Sequence, residues 1–174
     1  MSTKPPKPLK APKPLAISPE DDRLLTLAGL LLESTDSVRA RIAETLEADN
    51  SLNEGLFDPL LRLARTEGGS LRMTDLAAQC RATPSAATRN ADRLERLGLA
   101  ERVSCPGDRR VVHLSITDRG RRVVADALPP HLEMIRSLLD AALEPDEVDE
   151  LERLLRKLRD TVHPCAAVVS GPPA

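Results

Sequence analysis

Aromatic side chains are almost missing from this chain: Phe57 stands alone, with no Trp and no Tyr among 174 residues. Any core must therefore be built from Leu, Val, Ile and Ala. That favours helices over a β-sandwich, because strands draw on aromatic and β-branched residues. No apolar run reaches the roughly 18 residues of a membrane span, and the lysine-bearing N-terminus has no apolar stretch that would make a signal peptide. The three cysteines, Cys80, Cys105 and Cys165, are odd in number and widely spaced. They suggest neither a disulfide framework nor a zinc pattern, so a reduced, cytoplasmic chain is expected. His113, His131 and His163 are too scattered for a metal site. No Gly-rich phosphate loop or nucleophile motif occurs, so neither a cofactor nor an enzyme is expected.

The charge that is present is segregated. Residues 1–18 carry four Lys and no acid, and residues 19–70 carry 5 basic against 11 acidic groups. Residues 71–122 reverse this, with 11 basic against 6 acidic, and residues 123–174 return to 5 against 10. A basic segment flanked by acidic ones is what a localised phosphate-binding surface needs.

Punctuation along the chain divides it into elements. Residues 1–18, with Pro5, Pro6, Pro8, Pro12 and Pro14 among the lysines, bury little and read as a disordered or extended arm. It serves either as a solubilising tail or as an arm touching DNA. A helix is expected from about Pro19 to Leu46, capped by Ser18 and opened by Glu20, Asp21 and Asp22. A second helix lies within 53–65. Pro59 requires it either to start late, with Asp58 as cap, or to kink. A short helix within 74–80 and the turn Arg81-Ala82-Thr83 lead to a further helix, with Thr83 as cap, Pro84 at its first position and Gly98 at its end. The period then changes. Val112, Leu114 and Ile116 alternate with Val111, His113 and Ser115, Val103 lies on the opposing run, and breakers fill Cys105–Arg110. That is a β-hairpin with an exposed tip. Thr117 caps a helix to about Leu143, bent at Pro129-Pro130, and a last helix spans about Pro145–Val162. The tail 164–174 is expected to be disordered.

Helix, tight turn, helix, hairpin is the order of a winged helix-turn-helix, whose second helix enters the major groove. On that helix Ala87, Ala91, Leu94 and Leu97 form an inward stripe. Ser85, Thr88, Arg89, Asp92, Arg93 and Arg96 lie on or beside the outward face. Small hydroxyls allow close approach to DNA, and Arg89 offers a planar fork to guanine or phosphate. The fold class expected is mainly α with a small β-hairpin wing. A winged helix-turn-helix lobe (51–117) is flanked by an N-terminal dimerisation helix (19–50) and C-terminal dimerisation helices (118–163). The apolar stripes of those flanking helices exceed what one small lobe can cover, which marks an interface.

Three segments resemble the MarR (multiple antibiotic resistance regulator) family: Leu71–Ala77, Thr83–Arg89 and Asp92–Leu99. So does the wing signature Asp108-Arg109-Arg110 followed by Leu114–Gly120. The resemblance covers roughly residues 20–162. It implies a cytoplasmic homodimer binding double-stranded DNA at a pseudo-palindromic operator, most often as a repressor, and release by a small-molecule effector. Carried over by motif, Ser85, Thr88, Arg89 and Arg93 serve the major groove. Arg109 and Arg110 lie at the wing, with Arg110 in the minor groove, and Asp108 orients the wing by pairing with an arginine. Asn90 and Ala91 stand where the family usually has larger apolar residues. That implies a looser contact behind the recognition helix, or a groove-edge role for Asn90. Two rival readings are a redox-responsive regulator, with Cys105 beside the wing arginines, and a helical protein-interaction adaptor that has lost DNA binding. Cys80 is expected to pack in the helix-turn-helix core.

Overall fold

The computed structural model describes residues 15–50, 52–105 and 108–162, with backbone alone for 47–50, 105 and 108–110. Most of the Lys/Pro arm, the wing-tip residues Pro106 and Gly107, and the tail from His163 on lie outside the described residues. The first helix, α1 (Pro19–Asn50), is longer than its apolar pattern alone suggests. The chain divides within it into two compact units, Met1–Val38 and Arg39–Ala174.

In the first unit the helix starts where its capping chemistry dictates. Ser18 Oγ accepts the Asp21 N–H at 3.1 Å and donates to Asp21 Oδ2 at 2.7 Å. Glu20, Asp21 and Asp22 then sit at the positive end of the helix dipole. Leu24, Leu25, Leu27, Leu30, Leu31 and Leu32 are between 46% and 68% exposed, an unusual density of apolar surface.

The second unit contains the core. From α1 it takes Ile42 and Leu46, followed by α2 (Glu54–Arg65), a 3-10 turn (Glu67–Gly69), β1 (Ser70–Arg72) and α3 (Met73–Gln79). Then come α4 (Pro84–Arg96), β2 (Ala100–Cys105), β3 (Asp108–Ile116), α5 (Asp118–Asp140) and α6 (Pro145–Val162). The fold is mainly helical with one small antiparallel sheet, in strand order β1-β3-β2. The expected hairpin is β2–β3, in a register that sets Val103 opposite His113 and Ala100 opposite Ile116. The third strand was not expected. Leu71 pairs with Leu114, and both are buried.

Two other details differ from expectation. α2 does not wait for Asp58: it begins at Glu54, because Asn53 Oδ1 accepts the Leu56 N–H at 3.2 Å, and Pro59 sits buried inside the helix. A proline near the first turn removes only one N–H, and packing of Leu56, Phe57, Leu60 and Leu63 holds the helix despite it. Leu97 is not part of the inward stripe. It is the C-cap of α4 and is 39% exposed, whereas Ala87, Ala91 and Leu94 are buried. The path then reverses at Gly98, with φ of +67°, where the Gly98 N–H bonds to Glu95 O and the Leu99 N–H to Leu94 O. That is the left-handed helix stop that glycine makes without Cβ strain.

As the composition requires, the core is aliphatic. Leu60, Leu63, Leu94 and Leu114 are fully enclosed. The lone aromatic, Phe57, meets His131 of α5 edge to face at 5.1 Å. His131 is 7% exposed and its Nδ1 has no hydrogen-bond partner among the described residues. Burial lowers its pKa below the ordinary 6.5, so the fold favours the neutral ring. As pH falls, the unfolded chain takes up this proton first. The contribution is therefore whole above about pH 6.5 and drains away as pH drops toward the folded-state value. Thermal unfolding followed at about pH 7 and about pH 5 should show a smaller loss of Tm in His131→Gln than in the natural chain. An equal loss in both would place the acid sensitivity elsewhere.

Candidate nucleic-acid interface

The turn between α3 and α4 is closed by backbone bonds, Ala82 N–H to Ala77 O at 2.9 Å and Arg81 N–H to Ala78 O at 3.1 Å. Arg81 adopts a positive φ of 52° there. Thr83 then caps α4, its Oγ1 accepting the Ala86 N–H at 3.2 Å, and Pro84 fills the first turn. These residues fix which face of α4 points inward. Ala87, Ala91 and Leu94 go to the core, so Ser85, Thr88, Arg89, Asp92, Arg93 and Arg96 share the exposed side.

Behind the helix lies a void of about 10 Å³ lined by Pro59, Leu76, Cys80, Ala87, Asn90, Ala91, Leu94 and neighbours. Ala91 is buried at its wall. Asn90 is half-buried there rather than at an outer edge, and a Cβ placed on Gly55 would lie 3.8 Å from its Nδ2. Cys80 packs against the core as expected, and burial first, then Asp58, pushes its thiol up to about 12. A thiol held protonated is a poor nucleophile.

On the outward face the hydroxyls and arginines stand ready for a polyanion. Thr83 Oγ1 and Ser85 Oγ are 3.1 Å apart, and Thr88 Oγ1 donates to Pro84 O at 2.9 Å, keeping its lone pairs outward. Among the described residues, neither Arg89 nor Arg93 has an acidic partner. The backbone of Asp108, Arg109 and Arg110 opens β3, with Asp108 opposite Cys105. The placement of these three side chains, the expected Asp108–arginine pairing included, falls outside the described residues, as does that of Cys105.

Arg102, which the sequence pattern did not single out, connects these parts. From β2 its guanidinium meets Asp92 Oδ1 at 2.7 Å and pairs closely with Glu95 Oε2. It also reaches Thr88 O at 3.4 Å, while its backbone N–H donates to Glu95 Oε1 at 2.9 Å. Two acids on an otherwise basic helix face were the available signal, since each calls for a cation nearby.

At the far end of the hairpin, α5 is fastened to the same framework. Thr117 donates its N–H to Leu99 O at 3.0 Å and its hydroxyl to Gly98 O at 2.7 Å, and its Oγ1 accepts the Gly120 N–H at 3.0 Å. Gly120 faces the Leu99 carbonyl so closely that no Cβ fits. Beyond it, among the described residues, no cluster of His, Cys, Asp or Glu is arranged to hold a metal, and no helix is long and apolar enough to cross a membrane.

Helix, turn, exposed second helix and antiparallel wing define a winged helix-turn-helix protein. Residues 58–111 match the model of the MarR family. The transcriptional repressor MprA of Escherichia coli K12 is 36% identical over 107 residues, covering 62% of this chain and 60% of MprA. The solved structure of Sco3205, a MarR family transcriptional regulator from Streptomyces coelicolor in complex with DNA, matches with TM-score 0.74 and 24% identity over 86% of this chain and 91% of its own. BpsR of Bordetella bronchiseptica, whose DNA binding is regulated by 6-hydroxynicotinic acid, matches with TM-score 0.68 and 24% identity over 78% and 99%. The chain spans about three fifths of the length of the curated relatives it matches. The match to the MarR family model thus lies over α2 to the start of β3, the helix-turn-helix and the first part of the wing.

Proposed function

We propose that this protein is a sequence-specific DNA-binding transcription repressor acting as a homodimer on a pseudo-palindromic operator. The observation that carries this reading is the exposed face of α4, where Ser85, Thr88, Arg89 and Arg93 project from a helix whose other side is locked into the core. Such a face suits base edges and phosphates of the major groove, with the α4 N-terminus leading. Arg110, on the wing strand, serves the minor groove, where narrow A·T-rich segments attract arginine; Arg109 lies beside it, and Asp108 orients both. The names of MprA and of the DNA-bound Sco3205 support the same role. BpsR supports release by a small-molecule effector.

The test is selection from random-sequence DNA, followed by affinity measured across a salt series. A selected palindrome with half-sites roughly 34–36 Å apart and a steep salt slope is expected. Binding that is equal on all sequences, or absent at low salt, would reject the reading in favour of an adaptor that has lost DNA binding. Within the selected site, Arg110→Ala should cost about 1–3 kcal/mol and relax preference at the positions the wing covers. Unchanged affinity in a folded variant removes Arg110 from the minor groove.

A further inference from the structure

Resting on that reading, we infer that Arg102 is the positioning residue that sets the recognition helix against the wing, and so governs sequence discrimination rather than general DNA affinity. Thr88, Asp92 and Glu95 lie at successive turns of α4, on the edge that faces β2, and one guanidinium engages all three. The backbone N–H of the same residue adds a fourth tie, to Glu95 Oε1. A planar fork with five fixed donors spans three acceptors spread along a rigid helix edge better than the compact point charge of an ammonium does. Arg102 pairs across the ladder with Leu114 of β3, the strand whose other end carries Arg109 and Arg110. This side chain therefore ties the edge of α4 to the strand pair whose far end opens with the backbone of Arg109 and Arg110. Three of its contacts go to protein acceptors on α4, which sets its guanidinium against the helix rather than toward solvent alone. It also neutralises Asp92 and Glu95, which would otherwise repel a polyanion beside the reading face.

The experiment uses the full chain and the charge-neutral double variant Arg102→Met with Glu95→Gln, measured on the selected operator and on scrambled DNA over a salt series. Net charge is unchanged, so affinity for scrambled DNA and the salt slope should hold, while the operator-to-scrambled ratio falls by about tenfold or more. Arg102→Lys should lose discrimination too, although its charge is kept. A role in stability alone lowers the folded fraction, weakens both DNAs alike and leaves the ratio intact, which would overturn the inference. A phosphate-contact role would show as full activity in Arg102→Lys and a shallower salt slope in the double variant, and would overturn it equally. If the natural chain itself selects no operator, the underlying reading fails. If it selects one and the double variant keeps the ratio, only the role of Arg102 fails.

Discussion

Replacing Leu94 by alanine should destabilise the folded unit by about 2–5 kcal/mol, the range for truncating an enclosed leucine. Leu94 has no solvent exposure and lies where α4 meets the rest of the core. It also borders the void behind the recognition helix, so the space left by its removal joins one already present. The neighbouring side chains have already failed to close that gap, which pushes the expected cost toward the upper end of the range. Against a total stability of about 5–15 kcal/mol, this is a large fraction. In a thermal scan it should appear as a Tm lowered by roughly 5–15 °C. Leu97→Ala is the control. It stands three residues on in the same segment but is 39% exposed, and its cost should stay near 1 kcal/mol or below. Equal losses for the two variants would mean that the inward face of α4 is wrongly assigned.

The second large effect concerns assembly. Val148, Leu151, Leu155, Leu158 and Val162 recur on α6 at alternating spacings of three and four, the seam of a helix that packs on another helix. No residue of α6 is buried, and Leu151, Leu154, Leu155 and Leu158 are 37–47% exposed. An open groove of about 550 Å³ runs along Leu139, Val148, Leu151 and Leu155, rimmed by Glu152, Arg156 and Arg159. On the proposed homodimer this face is covered by a second copy. Leu155→Glu with Leu158→Glu should therefore yield a monomer in sedimentation equilibrium. Far-UV circular dichroism should stay close to natural, since α6 supplies nothing to the enclosed core. With the two half-sites no longer bound by one linked body, operator affinity should fall by roughly 10²–10⁴-fold. Arg153, paired with Glu150 outside the seam, is the control, and Arg153→Ala should change neither property. A double variant that remains dimeric would send the interface elsewhere.

Much of the lobe was legible because local chemistry and tertiary need agree there. Thr83-Pro84 starts α4 and Gly98 stops it, Thr117 starts α5, and the alternation from Val111 to Ile116 is a strand. β1 was not legible. Three residues carry too little periodicity, and Ser70–Arg72 becomes a strand only because β3 offers it an edge. The start of α2 was left open between two alternatives, because Pro59 is a strong local signal that burial of its neighbours overrides. Leu97 misled because helical spacing continues past the last helical residue, while the chain turns away at Gly98. Of the candidate site, the outward residues of α4 follow from the position of its buried stripe. Arg102 does not, since its role depends on where β2 lies against α4, a contact that no periodicity encodes.

The ties at Thr117 bear on how such a molecule can be controlled. One side chain holds the stop of the recognition helix and the start of α5, and the Leu99 carbonyl is packed against Gly120 with no slack. The start of α5 and the stop of α4 are thus tied directly to one another. On the proposed homodimer, an effector that moved α5 would leave each lobe intact. On that proposed assembly it would alter instead the gauge between the two lobes, as the track width of a vehicle decides which rails it fits.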